Sequence, residues 1–136
     1  MPMKADLWFP TVIWNDHLKD VNNIELKDYV EKLAEEDKEG KVASNYGGWQ
    51  SKSFEILDQK PLAIERFMHS LQRCINECTK MAGMPDLIIS DYWWNINYHK
   101  DYNQPHNHRD SMLSGVYYID VPEDSDSKIH FDREDE

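Results

Sequence analysis

The sequence is poor in the residues that mark several large classes of protein. It has two cysteines, five glycines and six prolines among 136 residues, too few for a disulfide scaffold, a collagen-like repeat or a proline-rich linker. Cys74 and Cys78 stand four residues apart in a segment with helical periodicity, so we expect them to pack on one helix face as buried thiols. No internal repeat is visible.

Basic residues and long apolar runs are also scarce. Fifteen Lys and Arg stand against 26 Asp and Glu, giving a formal net charge of -11. This charge repels phosphate backbones and disfavours anionic membranes, so duplex nucleic acid and membrane partners are not expected. No stretch approaches the roughly 20 apolar residues of a spanning helix, and the N-terminus lacks the apolar run of a secretory signal. The expected location is the cytoplasm.

The composition itself is that of a folded protein. Hydrophobic residues make up 40% and charged residues 30% of the chain, and this length suits one domain with its own core. We therefore treat residues 1–136 as a single domain.

Two segments have the periodicity of helices. After Asn22 and Asn23, a plausible cap, apolar residues recur at helical spacing to about Glu36. A stronger helix follows Pro61 and ends at Gly83, with Pro85 beyond it. Its apolar stripe predicts the core helix and consists of Ile64, Phe67, Met68, Leu71, Cys74, Ile75, Cys78 and Met81.

Strand-like segments flank and follow these helices. Residues 7–14, 87–98, 113–121 and 128–131 are rich in β-branched and aromatic residues. In the second segment Trp93, Asn95 and Asn97 would share a polar face that lines a pocket. The turn-rich residues 44–53 lie between the helices, where Gly47 and Gly48 would supply positive φ angles and Trp49 an anchor into the core. Helices followed by strands predict an α+β fold with mostly antiparallel sheet.

One histidine pair stands out for its chemistry. His106 and His108 are separated by one residue and precede a predicted strand. In extended backbone their side chains, and that of Asp110, would point to the same side. Two imidazoles and a carboxylate are ligands that suit divalent iron. A His-x-His pair alone is weak evidence, because exposed loop histidines are common.

Four segments together resemble a known family. They are Phe9-Pro10-Thr11, the loop Ser44 to Ser51 that contains Gly-Gly-Trp-Gln-Ser, Trp94-Asn95-Ile96-Asn97, and the block from His106-Asn107-His108 into Ser114-Gly115-Val116-Tyr117-Tyr118. With these motifs the chain resembles the 2-oxoglutarate-Fe(II) oxygenases predicted in phage and marine bacterial genomes.

The resemblance implies a fold, a cofactor and an activity. The fold would be a partial double-stranded β-helix, or jelly-roll, with two N-terminal helices packed on the sheet. Fe(II) would be held by His106 and His108, ranked ahead of Asp110, and 2-oxoglutarate would be the co-substrate. Asn95, Tyr117 and Tyr118 are the residues assigned to co-substrate binding. The implied activity is hydroxylation of an unidentified small-molecule or protein substrate.

The sequence departs from the family pattern at its C-terminal end. The resemblance implies a distal histidine and then a basic residue for the co-substrate. The one histidine downstream of the first motif is His130, followed by Arg133, and both lie too close to the motif to match. A truncated chain, a homodimer that covers the open sheet, and strands supplied by a separate polypeptide are three explanations, and the sequence does not choose among them.

The sequence is also compatible with other classes of function. The chain could be a non-catalytic metal-binding or interaction domain that retains the oxygenase scaffold, with His130 as a third ligand. An assembly protein would use its aromatic and Gly-Gly-Trp surfaces to bind a partner. A cupin is disfavoured, because the glutamate that usually follows its His-x-His pair is absent.

Overall fold

The computed structural model describes residues 3–4, 10–125 and 127–132. The described chain is a mixed α/β structure with two helices and three short antiparallel strand pairs. In chain order its elements are α1 (Asn23–Glu36), β1 (Asn45–Tyr46), β2 (Trp49–Gln50), β3 (Phe54–Glu55), α2 (Leu62–Ala82), β4 (Asp91–Tyr92), β5 (Asn95–Ile96) and β6 (Tyr102–Asn103).

Both predicted helices are confirmed, with the expected ends. The side chain of Asn22 caps α1 by accepting hydrogen bonds from the backbone amides of Ile24 and Glu25. Helix α2 ends at Gly83, whose φ of +63° is left-handed, and the amide of Met84 donates to the carbonyl oxygen of Thr79. This bonding is the pattern of a glycine-terminated helix. No described helix is both long and apolar enough to span a bilayer.

The apolar stripe of α2 is buried only in its first half. Ile64, Phe67 and Met68 are buried, but Met81 is 76% exposed. Cys74 and Cys78 are free thiols, half-buried rather than fully buried, and burial raises the pKa of Cys74. The prediction of one continuous core stripe is therefore wrong for the C-terminal half of the helix, where the buried residue is Thr79, which lies outside the stripe.

The strands form one interrupted antiparallel arrangement in which residues 44–56 run against residues 90–104. The pairs are β1 with β6, β2 with β5 and β3 with β4. Hydrogen bonds from the Ser51 amide to the Trp94 carbonyl and from the Ile56 amide to the Ser90 carbonyl continue the pairing between ladders. Between β2 and β3 three residues, 51–53, face only two, 93–94, which is a bulge.

Most of the predicted strands are shorter or absent in the described chain. The segment 87–98 contains only β4 and β5, and neither 113–121 nor 128–131 forms a strand. Residues 10–14 form no strand either, and residues 7–9 lie outside the described residues. The reason is pairing: β-branched and aromatic side chains favour extended backbone, but a strand also needs a hydrogen-bonded neighbour.

The core lies between the two helices and one face of the strand pairs. Its buried members are Leu26, Val30, Trp49, Ile64, Phe67, Met68 and Trp94. Trp49 is the predicted anchor, since its indole Nε1 donates a hydrogen bond of 2.7 Å to the carbonyl oxygen of Asp37 at the end of α1. The loop that contains Trp49 thereby ties the first helix to the strands.

Candidate metal centre

The histidine pair lies in an irregular segment after β6. His106 is exposed and His108 half-buried, and the segment is coil followed by a turn in which the Ser111 amide donates to the His108 carbonyl. Their ring centroids are 4.9 Å apart, with the ring planes at 82°. The two imidazoles therefore lie side by side, although the backbone that carries them is not the predicted strand.

A hydrogen bond sets the tautomer of His106. Its Nδ1 lies 2.7 Å from the carbonyl oxygen of Gln104. Because a carbonyl oxygen only accepts, Nδ1 carries the proton in this bond and the neutral ring presents the Nε2 lone pair. Metal-binding histidines commonly have this arrangement, with the second ring nitrogen donating to a carbonyl or carboxylate.

The ring of Trp93 packs beside the histidine pair. Its ring centroid lies 5.5 Å from that of His108 at an interplanar angle of 40°. Trp93 follows β4 and lies opposite the bulge, and its neighbours Tyr92 and Trp94 both pack towards the core. Strand alternation therefore turns Trp93 to the face away from the helices, and His108 packs there.

The described residues bring two metal donors together but not three. No group of three or more His, Cys, Asp or Glu side chains in the described ranges is arranged to hold a metal ion. Asp110 and His130 are both exposed, and neither completes a group with the two imidazoles. The residue types and the His106 tautomer are compatible with a divalent metal, and the assignment of His106, His108 and Asp110 as its ligands stays a prediction.

The three residues assigned to co-substrate binding occupy different environments. Tyr117 packs its ring 4.8 Å from that of Phe67 and donates a 2.7 Å hydrogen bond to the Asn23 side chain. Tyr118 is 50% exposed. Asn95 is exposed in β5, on the same face as Trp93. The structure thus places Asn95 on the face of the histidine pair and Tyr117 on the core.

Sequence reasoning did not assign a site role to Gln50. It pairs with Asn95 across β2 and β5, and directly paired residues share one face of an antiparallel ladder. Gln50 is only 6% exposed. The sequence signal for the orientation of Gln50 is its position next to the predicted anchor Trp49, because successive residues of a strand point to opposite faces of the sheet.

One protein family has a sequence model that matches part of this chain. Its description is "Putative 2OG-Fe(II) oxygenase", and the match covers residues 91–136. The matched part begins at β4 and contains Trp93, Asn95 and both histidines of the pair. No curated protein and no solved structure shows a significant match to the chain.

Proposed function

We propose that this protein is an iron- and 2-oxoglutarate-dependent dioxygenase that hydroxylates a substrate not yet identified. The observation that carries the proposal is the 4.9 Å separation of the His106 and His108 rings within the segment that the oxygenase family model matches. Two imidazoles in contact, one of them with its Nε2 lone pair free, are suited to bind a borderline divalent ion.

The chain's own residues supply binding and orientation at this site. His106 would bind the metal through Nε2, held in that orientation by the Gln104 carbonyl oxygen. His108 would be the second ligand, held by its turn and by the ring of Trp93, which also keeps water from one side of it. When bound, the metal and 2-oxoglutarate would supply a reaction with O2 in which the co-substrate loses CO2 to give succinate, with one oxygen atom entering succinate and the other a C–H bond of the substrate.

The jelly-roll stays part of the proposal. It is supported by the three antiparallel ladders and by the two helices that pack on one face of them. In that architecture the other face, which carries Trp93 and Asn95, would enclose the reaction.

The test is metal binding and turnover in matched variants. We expect the full chain to bind Fe(II) under anaerobic conditions and, with oxygen, to convert 2-oxoglutarate to succinate. His106→Ala should lower metal affinity at least about tenfold, because a ligand and its fixed tautomer are both lost. His69→Ala, at an exposed position of α2, should leave metal affinity unchanged.

The outcomes separate the candidate functions. Metal binding that depends on His106 without succinate formation would favour the non-catalytic metal-binding scaffold. Equal metal affinity of the His106→Ala and His69→Ala variants would overturn the proposed site.

A further inference from the structure

The face of the strand pair that carries Trp93 also carries two side-chain amides. Tyr92, Trp94 and Ile96 pack towards the core, so the residues between them, Trp93 and Asn95, point the opposite way. Trp49 likewise belongs to the core and directs Gln50 to this outer face. The register that pairs Gln50 with Asn95 then sets the two amides side by side, with Cβ atoms roughly 5 Å apart.

Neither amide has a hydrogen-bond partner among the described residues. Gln50 is more than nine-tenths buried, and a buried amide normally forms hydrogen bonds. The polar side-chain atom that is fully enclosed and unpartnered in the described chain is Nε1 of Trp94, not the Gln50 amide. The amide of Gln50 therefore retains some contact with solvent, and the exposed Asn95 lies beside it.

The two amides have hydrogen-bond donors that suit a carboxylate. Each amide offers N–H donors, and two donors from paired positions can reach the two oxygens of one carboxylate. A chain with a net charge of -11 repels an anion at long range, so an anionic ligand needs local donors of this kind. Trp93 contacts His108 and lies two residues before Asn95, so the amide pair and the histidine pair lie on the same face.

We propose that Gln50 and Asn95 form an amide pair that binds a carboxylate group of the ligand seated beside His106 and His108. The location of this subsite rests on the proposed function, whereas its chemistry does not. A carboxylate could belong to 2-oxoglutarate or to the second substrate, and both would meet the same donors.

Glutarate tests the amide pair independently of the metal, because it has two carboxylates but no 2-oxo group. In the full chain labelled with nitrogen-15 and without added metal, glutarate should shift the side-chain NH2 signals of Gln50 and Asn95. Gln50→Glu keeps the shape and adds a negative charge, so it should weaken glutarate binding about 10- to 100-fold. Gln59→Glu adds the same charge at an exposed position and should leave binding unchanged.

A neutral ligand separates recognition from a structural role. Glutaramide has the same length but no charge. Gln50→Glu should change its affinity less than about threefold, which is no more than one weak hydrogen bond contributes. Any of three results would overturn the proposal. Gln50→Glu could weaken glutarate and glutaramide binding equally, or glutarate could leave the NH2 signals of Gln50 and Asn95 unshifted. The third result is an equal loss of glutarate affinity in the Gln50→Glu and Gln59→Glu variants.

Binding of 2-oxoglutarate to the zinc-loaded chain then identifies the source of the carboxylate. Zinc has no redox chemistry, so the complex does not turn over. If Gln50→Glu weakens both glutarate and 2-oxoglutarate, the amide pair binds the co-substrate. If it weakens glutarate alone, the pair binds the second substrate. A chain that binds glutarate through Gln50 but binds no metal would overturn the proposed function and retain the amide pair.

Discussion

At the scale of single residues, the packing of Tyr92 against the core explains how its phenol titrates. Tyr92 stacks on Phe54 with centroids 5.5 Å apart and meets Trp94 edge to face at 5.7 Å. Burial, with smaller effects of Tyr29 and Asp58, raises the pKa of Tyr92 to about 12. Phenolate is the charged form, so the core disfavours its formation.

The raised pKa of Tyr92 predicts a loss of stability at alkaline pH. Between pH 10 and 12 the unfolded chain releases the Tyr92 proton while the folded chain retains it, so the free energy of unfolding falls as pH rises. Urea titrations across this range should show a steeper fall for the native sequence than for Tyr92→Phe. Tyr118→Phe, at a half-exposed position, is the control and should follow the native sequence. Identical curves for native and Tyr92→Phe proteins would contradict this account.

At the scale of elements, two positions with nearly the same φ angle require glycine for different reasons. Gly83 ends α2 at φ +63°, and a Cβ added there meets nothing within 4 Å. Gly48 precedes β2 at φ +64°, and its added Cβ would lie 2.7 Å from both the Ile96 carbonyl oxygen and Oδ1 of Asn97. The first glycine is required only by its backbone conformation, and the second also by the approach of the paired strand.

Alanine substitutions should separate these two costs. Gly83→Ala should lower the free energy of unfolding by about 1 kcal/mol, since only left-handed strain is introduced. Gly48→Ala should cost about 3 kcal/mol, because overpacking against the backbone of β5 adds to the same strain. Denaturant unfolding of both variants measures the difference. Equal losses would show that β2 and β5 do not approach as closely at Gly48 as the structure places them.

At the scale of the whole molecule, charge opposes compactness. The described ion pairs are few and exposed, for example Lys27 with Asp120 at 2.7 Å and Arg73 with Asp20, and such pairs contribute little each. An ion pair joins one charge of each sign, so the net charge of -11 remains whatever the number of pairs. Self-repulsion of this kind destabilises a folded chain and is screened by salt.

Neutral salt should accordingly stabilise the protein. Raising potassium chloride from low concentration to several times the physiological level should increase the melting temperature at pH 7 by about 3 °C, equivalent to roughly 1 kcal/mol. The control is the same pair of scans near pH 4.9, the isoelectric point of the sequence, where the increase should nearly vanish. A melting temperature that falls with salt at pH 7 would show that attractive pairs outweigh the repulsion.

The sequence by itself determined the features whose bonds are local. Asn22 and Gly83 set the ends of the helices, because a helix bonds each amide four residues back and its caps lie within the same few residues. Gly47 and Gly48 have the positive φ angles predicted for them. Trp49 anchors the loop as expected, and His106 and His108 lie together because only one residue separates them.

Only the tertiary structure decided which distant segments meet. Strand pairing joins residues 36 to 58 positions apart, from Glu55 with Asp91 to Asn45 with Asn103. The register of Gln50 with Asn95 and the bulge beside it therefore had no local signal. The same long-range packing turned Tyr117 to Phe67 and left residues 113–121 without a strand partner among the described residues. Local bonding fixes helices and turns from a few neighbouring residues, whereas the faces of a sheet exist only once two remote segments have paired.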